Sequence, residues 1–335
     1  MDSVSQLALG ASIGVAVMGN KTAIWKAALV GAVCGTLPDL DILIRNSDEI
    51  KNMTTHRAQS HSLLYLTLLL TPLIAWCAVH IFHQHKHWRS WTLAIWLALI
   101  THPLLDVMTI YGTQMGIPFI NYPFAIGSIF IIDPAYTLWL LLGLILALSL
   151  RNRYGLIANT IGLILSTIYL GWSLLAQQIV LREAQQAIAM QYDASDKVIA
   201  TPTPFNTLVW RIVAMQPHGY LEGYYSLLKS EQPIQFNFYP TDSFLYEKVQ
   251  HNWHVQRMNW FTQGIFFVKE QNGQLIITDL RMGAGSCYTF QFSVGQIENI
   301  IQAEEGINNI QQNAKSLPQD PTCINYMLKS WNQKL

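Results

Sequence analysis

The stretch GLIANTIGLILSTIYLGWSLLAQQIVL, residues 155–181, decides how this chain is read. It runs for 27 residues without an Asp, Glu, Lys or Arg. A hydrocarbon core of about 30 Å needs about 20 apolar helical residues, so the stretch is long enough to cross a bilayer. Residues 60–82 have the same character, with His61 and His80 as the only groups there that a proton near neutral pH would charge. Residues 91–105 and 134–150 are shorter and strongly apolar, the latter extended upstream by 124–132. Residues 4–19 and 22–37 are short and rich in small residues, including Gly10, Gly14, Gly31 and Gly35. Small residues let helices approach closely inside a membrane, and this pair reads either as two spans or as one re-entrant pair. No basic run precedes the first segment, so a cleaved signal peptide is not expected. The expectation is a polytopic α-helical membrane domain of about six apolar segments over residues 1–181.

The charge distribution sets the boundary of that domain. Only 12% of the 335 residues are charged, against roughly 25% in an ordinary soluble domain. The deficit is local. Residues 1–181 hold nine basic and seven acidic side chains, and residues 182–335 hold eleven and thirteen. A polar linker, 182–200, then leads to a β-rich α+β soluble domain over 201–335. Runs of β-branched and aromatic residues place strands at 208–215, 220–227, 234–238, 264–269, 275–282 and 287–294. Asn272-Gly273 marks a hairpin turn. Helical segments are expected over 294–314 and 324–331. Tyr220, Tyr224, Tyr225, Trp253 and Trp260 read as core or as an aromatic face near headgroups. His218, Glu222, Asp279 and Arg281 are candidates for a polar patch facing the membrane domain. The zero net charge argues against a nucleic-acid partner, and the apolar content excludes disorder.

Ionisable residues are costly in a membrane domain and are functional candidates by default. Four of the seven acids fall at segment edges: Asp39, Asp41, Asp106 and Asp133. Three histidines join them, His56, His61 and His102. The motifs are Pro38-Asp39-Leu40-Asp41, His56-Arg57-Ala58-Gln59-Ser60-His61-Ser62 and His102-Pro103-Leu104-Leu105-Asp106. Counting segments puts all seven groups on one membrane face. Imidazole and carboxylate together suit a divalent metal, zinc first, with manganese or iron as alternatives. The six residues Asp39, Asp41, His56, His61, His102 and Asp106 are the candidate ligands, enough for one or two ions. His102 and Asp106 stand at i, i+4, on one face of a helix. Arg57 and Asp133 are the candidate catalytic residues, Arg57 to hold an anionic oxygen.

Each piece also has a plainer reading. Asp133-Pro134 has the form of a helix N-cap followed by proline at the first helical position. Asp39 or Asp41 can cap a helix, and Arg57 can simply pair with either. His80, His83, His85 and His87 lie near Lys86 and Arg89 with no carboxylate close in sequence, and read as a solvated cationic loop. Cys287 and Cys323 would be in a disulfide-permissive compartment if the second half lies outside the cytoplasm.

The Pro-Asp-x-Asp, His-Arg-x-x-Ser-His-Ser and His-x-x-x-Asp series, in this order between apolar helices, resembles the YdjM/YfhP-like family of membrane-bound metal-dependent hydrolases. The resemblance covers residues 1–180 by motif. It extends to Thr201-Pro202-Thr203-Pro204-Phe205-Asn206, Trp210 and Ile277-Thr278-Asp279-Leu280-Arg281-Met282-Gly283, which are similar to the C-terminal part of the YfhP-type branch. It implies a bacterial inner-membrane protein that carries a metal site at the matching positions Asp39, Asp41, His56, His61, His102 and Asp106.

The expected function is hydrolysis of an ester or phosphoester, lipid or lipid-linked, by a metal-activated water at the outer membrane edge, an aspartate taking the proton. Six basic residues on one side against three on the other place the second half outside the cytoplasm. The main alternative is a non-enzymatic protein with a structural metal, its soluble domain binding a partner. A transporter is the third reading, disfavoured because the ionisable groups gather at one edge.

Overall fold

The computed structural model describes residues 1–192, 195, 197–229, 233–285, 287–304 and 313–318. The chain divides into two compact units. The first comprises Met1–Leu43, His56–Leu175 and Pro204–Asn206; the second comprises Ile44–Thr55, Ala176–Thr203 and the described residues from Thr207 onward.

The first unit is helical. Asp2 caps α1 (Ser3–Met18) by accepting from the amides of Val4 and Ser5. A short turn, Gly19–Lys21, leads to α2 (Ile24–Thr36). These two helices pack backbone against backbone. A Cβ placed on Gly31 would lie 2.1 Å from the Gly10 carbonyl oxygen, and one on Gly10 would lie 2.2 Å from that of Gly31. The small residues therefore do what their pattern implies.

After a 3₁₀ segment at Leu37–Leu43, α3 (Glu49–Thr55) belongs by its contacts to the second unit. The chain returns through Gln59–His61 and α4 (Leu63–Tyr65), whose N-cap is Ser62. A π-helical turn, Leu66–Leu70, precedes α5 (Thr71–Ile81). Thr71 Oγ1 donates to the Leu66 carbonyl at 2.7 Å inside that turn. Then follow α6 (Trp88–Val107), α7 (Pro134–Leu150) and α8 (Arg153–Gln191). Trp91, Ile95, Ala98 and Leu99 of α6 pack with Ala11 and Met18 of α1 and Ala27 of α2 to form the core.

Three helical stretches are long and apolar enough to cross a membrane: Glu49–Ile81, His85–Val107 and Arg153–Gln191; Pro134–Leu150 is a shorter apolar helix. With 16 and 13 residues, α1 and α2 are shorter than a spanning helix needs. The expected upstream extension of α7 over 124–132 is not helical. Its backbone is irregular apart from one bridge, Thr113 to Phe124, and Gly127 sits at φ +75°.

The second unit is rich in strands. An antiparallel sheet runs β1 (Val198–Pro202), β2 (Val209–Gln216), β3 (Gly219–Ser226) and β4 (Phe236–Pro240) in that order. Ala176, Val180 and Ala184 of α8 pack with Ala200, Trp210 and Ile212 of this sheet. Two helices the sequence reading did not include, α9 (Ser243–Val249) and α10 (Trp253–Thr262), come next. The second four-stranded sheet combines β5 (Phe266–Gln271), β6 (Gln274–Asp279), β9 (Gln291–Gln296) and β10 (Lys315–Ser316) in the order β10-β9-β6-β5. Asn272 and Gly273 turn the β5–β6 hairpin with φ of +56° and +75°, the left-handed pair such a turn requires.

The strand expected over 287–294 is split. Cys287–Tyr288 (β8) pairs with Gly283–Ala284 (β7), and β9 starts at Gln291. Of the expected helical tail, Ile297–Glu304 (α11) is helical. Residues 324–331 and Cys323 lie outside the described residues.

Tyr220 and Tyr225 are buried core, whereas Trp253 is exposed. The four candidate polar-patch residues do not share one environment, since His218 is exposed at the β2–β3 turn. Glu222, Asp279 and Arg281 are buried. Glu222 accepts from Arg211 Nε at 3.1 Å, and Arg281 Nη2 donates to Asp279 at 2.7 Å.

Candidate metal centre

Three elements of the first unit bring the donors together. The 3₁₀ segment after α2 carries Asp39 and Asp41. The turn before α4 carries His61 at its last position. The last turns of α6 carry His102 and Asp106, and Pro103 between them is accommodated inside the helix. Asp39, His61, His102 and Asp106 each offer one ligand atom within 4.8 Å of all the others. His61, His102 and Asp106 are fully buried, and the Asp39 side chain is 23% exposed.

The orientation of each ring follows from its other nitrogen. His102 Nδ1 lies 2.6 Å from the carbonyl oxygen of Gly35, an acceptor only, so Nδ1 carries the hydrogen. Ser60 Oγ donates to Asp41 Oδ2 at 2.6 Å and lies 2.9 Å from His61 Nδ1. Its one hydrogen being spent, it accepts from His61. Both Nε2 atoms are thereby left as lone pairs facing inward, 3.1 Å apart. Asp39 Oδ1 lies 3.3 Å from His61 Nε2 and 3.4 Å from His102 Nε2, and Asp106 Oδ2 lies 3.1 and 3.4 Å from the same two.

This arrangement fits a divalent cation. Two imidazole lone pairs and two carboxylate oxygens converge on one point, the N/O donor set that suits zinc or iron. Asp39 Oδ1 is buried and receives no aligned hydrogen bond among the described residues. Such an orphaned anionic oxygen is costly unless a cation meets it.

A second group adjoins the first: Asp39, Asp41 and His56 also offer ligand atoms within 4.8 Å of one another. His56 Nδ1 is 2.7 Å from Asp41 Oδ1, and the Arg57 amide donates to Asp41 Oδ2 at 2.9 Å. Burial pushes the Asp41 carboxyl up. The hydrogen bonds from His56, Ser60 and the Arg57 amide outweigh it and hold Asp41 below the ordinary carboxylate range.

Arg57 is buried at φ +63°. Its Nη2 is 3.3 Å from Asp106 Oδ1, and its guanidinium lies 5.0 Å from the centre of the Tyr111 ring. Its Nε has no hydrogen-bond partner among the described residues. Asp133 belongs to neither ligand group. It accepts from the amides of Ala135 and Tyr136 and from the Tyr169 hydroxyl at 2.8 Å, the helix-cap arrangement that Asp133-Pro134 also suggested. The imidazoles of His80 and His85 stack edge to face at 4.9 Å with no carboxylate in the group, among the described residues.

Four contributors lie outside the residues that the sequence motifs single out. Gln6 of α1 donates to Asp106 Oδ1 at 3.0 Å and to the His102 carbonyl. The Met1 amine also meets Asp106 Oδ1. Gly35 supplies a backbone oxygen, and Tyr111 packs against His56 with ring centres 5.6 Å apart. Gln6, a buried polar residue in an otherwise small and apolar helix, is the only one with a sequence signal.

The family model for the YdjM inner membrane protein matches residues 1–180. An uncharacterized protein of Bacillus subtilis (strain 168), YfhP, is 25% identical over 232 residues, which is 67% of this chain and 68% of the relative. No solved structure matches.

Proposed function

Starting from the fact that the chain belongs to the YdjM inner membrane protein family, we propose that it is a multi-pass metal-dependent hydrolase. Its substrate is an ester or phosphoester, lipid or lipid-linked, and the site lies at the outer edge of the membrane. The observation that carries this reading is the convergence of Asp39, His61, His102 and Asp106 within 4.8 Å. Asp39, the one partly exposed member, gives the approach from the edge. Counted over alternating inter-helix loops of the sequence, six basic residues (Lys21, Lys26, Lys86, Arg89, Arg151, Arg153) against three (Arg45, Lys51, Arg57) support an extracytoplasmic second half.

A divalent cation held by these four residues, zinc first and manganese or iron otherwise, supplies Lewis-acid polarisation of the scissile oxygen and of water. The chain's own groups do the rest. His56, with Nδ1 engaged by Asp41, presents Nε2 as the proton acceptor, in place of the aspartate expected from the sequence. Asp41 orients that ring and stabilises it once charged. Arg57 balances the buried Asp106 carboxylate, and its unpartnered Nε–H is the donor available to an anionic oxygen. Asp133 serves here through the α7 cap. With a second ion on Asp39, Asp41 and His56, His56 would be a ligand instead of the proton acceptor.

One observation favours the alternative of a structural metal: three of the four ligands are fully buried. A closed coordination shell holds a fold together and does no hydrolysis. The deciding experiment purifies the full chain, measures bound metal by elemental analysis and assays phosphoester lipids with and without a chelator. Hydrolysis that chelation abolishes and zinc restores supports the enzyme. Stoichiometric metal with no turnover, and a melting temperature that falls on chelation, supports the structural reading.

A further inference from the structure

The first unit has a second chemical pole. No Asp or Glu occurs between Asp2 and Asp39, between Glu49 and Asp106, or between Asp133 and Glu183. Apart from Lys51, Arg57 and Arg182, the cations of these runs lie on the three helix-to-helix turns or in the first helical turn after them: Lys21 and Lys26 at the first, Lys86 and Arg89 at the second, Arg151 and Arg153 at the third. His80, His83, His85 and His87 belong to the second turn as well. Among the described residues, none of the cations at the three turns is in an ion pair with a carboxylate.

The first two turns are built against each other. Gln84 Nε2 donates to Thr22 Oγ1 at 2.7 Å, and Gln84 Oε1 accepts from Trp91 Nε1 at 2.8 Å. One amide thus ties the α1–α2 turn, the α5–α6 turn and the start of α6. Lys26 Nζ sits 4.9 Å from the Phe82 ring centre and 5.7 Å from that of Trp25. Phe82 stacks on the fully buried Trp91 at 5.7 Å and meets Trp25 edge-on. Lys26 of one turn is therefore held over an aromatic residue of the other. Arg89 lies over Trp88 at 5.4 Å. Trp25, Trp76 and Trp88 are more than half exposed, the amphipathic rings that settle at headgroup depth.

We propose that these two turns form one binding site for an anionic phospholipid bearing two phosphates. Lys21 and Lys26 take one phosphate, and Lys86 and Arg89 take the other. Charge complementarity selects the occupant. Several cations with no internal counter-ion, on a face rimmed by Trp, suit headgroup phosphates, and basic pockets between membrane helices bind multiply charged lipids. Two cation pairs on two braced turns match two phosphates better than one. The proposal is independent of any chemistry at the Asp/His cluster.

The test is lipid retention by the full chain in native mass spectrometry. Diphosphatidylglycerol, phosphatidylglycerol and phosphatidylcholine are offered in equal amounts. The expected order is two phosphates over one, and one over zwitterionic. Each cation that meets a headgroup phosphate contributes about a five-fold factor, so Lys26→Gln with Lys86→Gln should lower retention of the two-phosphate lipid by roughly 25-fold, whereas cations outside the site are not in contact with it. Arg151→Gln with Arg153→Gln should leave it within about two-fold. Equal retention of the three lipids overturns the proposal, as does undiminished retention by the Lys26/Lys86 variant. If that variant fails to fold, raising salt on the unaltered chain decides: retention that salt does not weaken also overturns it.

Discussion

His61 and His102 face each other through their Nε2 atoms at 3.1 Å, and each ring's Nδ1 is committed elsewhere, to Ser60 and to the Gly35 carbonyl. Two inward lone pairs at that separation repel unless a positive charge lies between them. The second nitrogen of each ring thus sets the chemistry of the first.

Removing a donor should remove metal. His61→Ala and Asp106→Ala are each expected to lower bound metal per purified chain to a small fraction of the unaltered value. Elemental analysis after dialysis reads this directly. Full stoichiometry in both variants would mean that the cluster is not a metal site.

Ser60→Ala should act at one remove. It deletes the hydroxyl that links Asp41 to His61 while leaving all four ligands in place. Outer partners of this kind are worth about 10–100-fold in metal affinity. Competition with a fluorescent chelator should show that weakening, with stoichiometry restored at saturating metal. Affinity within two-fold of the parent would contradict it.

The carboxylates and imidazoles that gather in the two groups stand out in the sequence because such side chains are conspicuous in an acid-poor apolar stretch. Gly35 does not, because a backbone oxygen has no sequence signature, and Gln6 offers only its isolated polarity, because a single amide has no spacing signature. The β5–β6 hairpin was legible from Asn272-Gly273, since few residue pairs accept positive φ at both positions. The Cys287–Val294 run was misread as one strand because its composition hides the break between Tyr288 and Gln291. Apolar character likewise suggested helix over 124–132, although alternation cannot tell a buried irregular segment from a short helix.

Gly31→Ala should cost stability out of proportion to one methyl group. The added Cβ would fall 2.1 Å from a backbone oxygen that has no rotamer to change. Overpacking of this kind costs about 1–3 kcal/mol, and a lowered melting temperature in detergent is the expected outcome. Gly171→Ala is the control, since nothing lies within 4 Å of that position. Equal melting of the two variants would count against close α1–α2 packing.

Asp48 provides a pH test in the second unit. Burial pushes its carboxyl up, and the amides of Ala314 and Lys51 together with His254, whose Nε2 is 2.7 Å away, outweigh this and hold it below the ordinary value. Folding therefore releases a proton from this group. Its contribution is complete above the ordinary carboxyl range near pH 4 and is lost as pH falls through the lowered value. The melting difference between the parent and Asp48→Asn should be largest near neutrality and shrink below about pH 4. A difference independent of pH would refute the assignment.

Arg211 tests the interior of the first sheet. Its Nε meets Glu222 at 3.1 Å, and its Nη1 meets the Leu280 carbonyl at 2.7 Å. Arg211→Ala leaves a buried carboxylate served, among the described residues, by Tyr224 and the Gly285 amide. A loss of roughly 3–5 kcal/mol is expected from breaking such a pair. Arg211→Met combined with Glu222→Leu should recover most of it, since no charge is stranded. A double variant no more stable than Arg211→Ala would argue against this cause.

The π-helical turn at Leu66–Leu70 carries a consequence for the segment before it. A π turn holds one residue more than an α turn, so residues on its two sides do not share a single helical wheel. Deleting one residue there would restore α register and rotate everything upstream, His61 included, by about 100° relative to α5. The angular phase of the His61 imidazole is thus set by chain length within this one turn, and loop redesign in this region has to count residues before it chooses them.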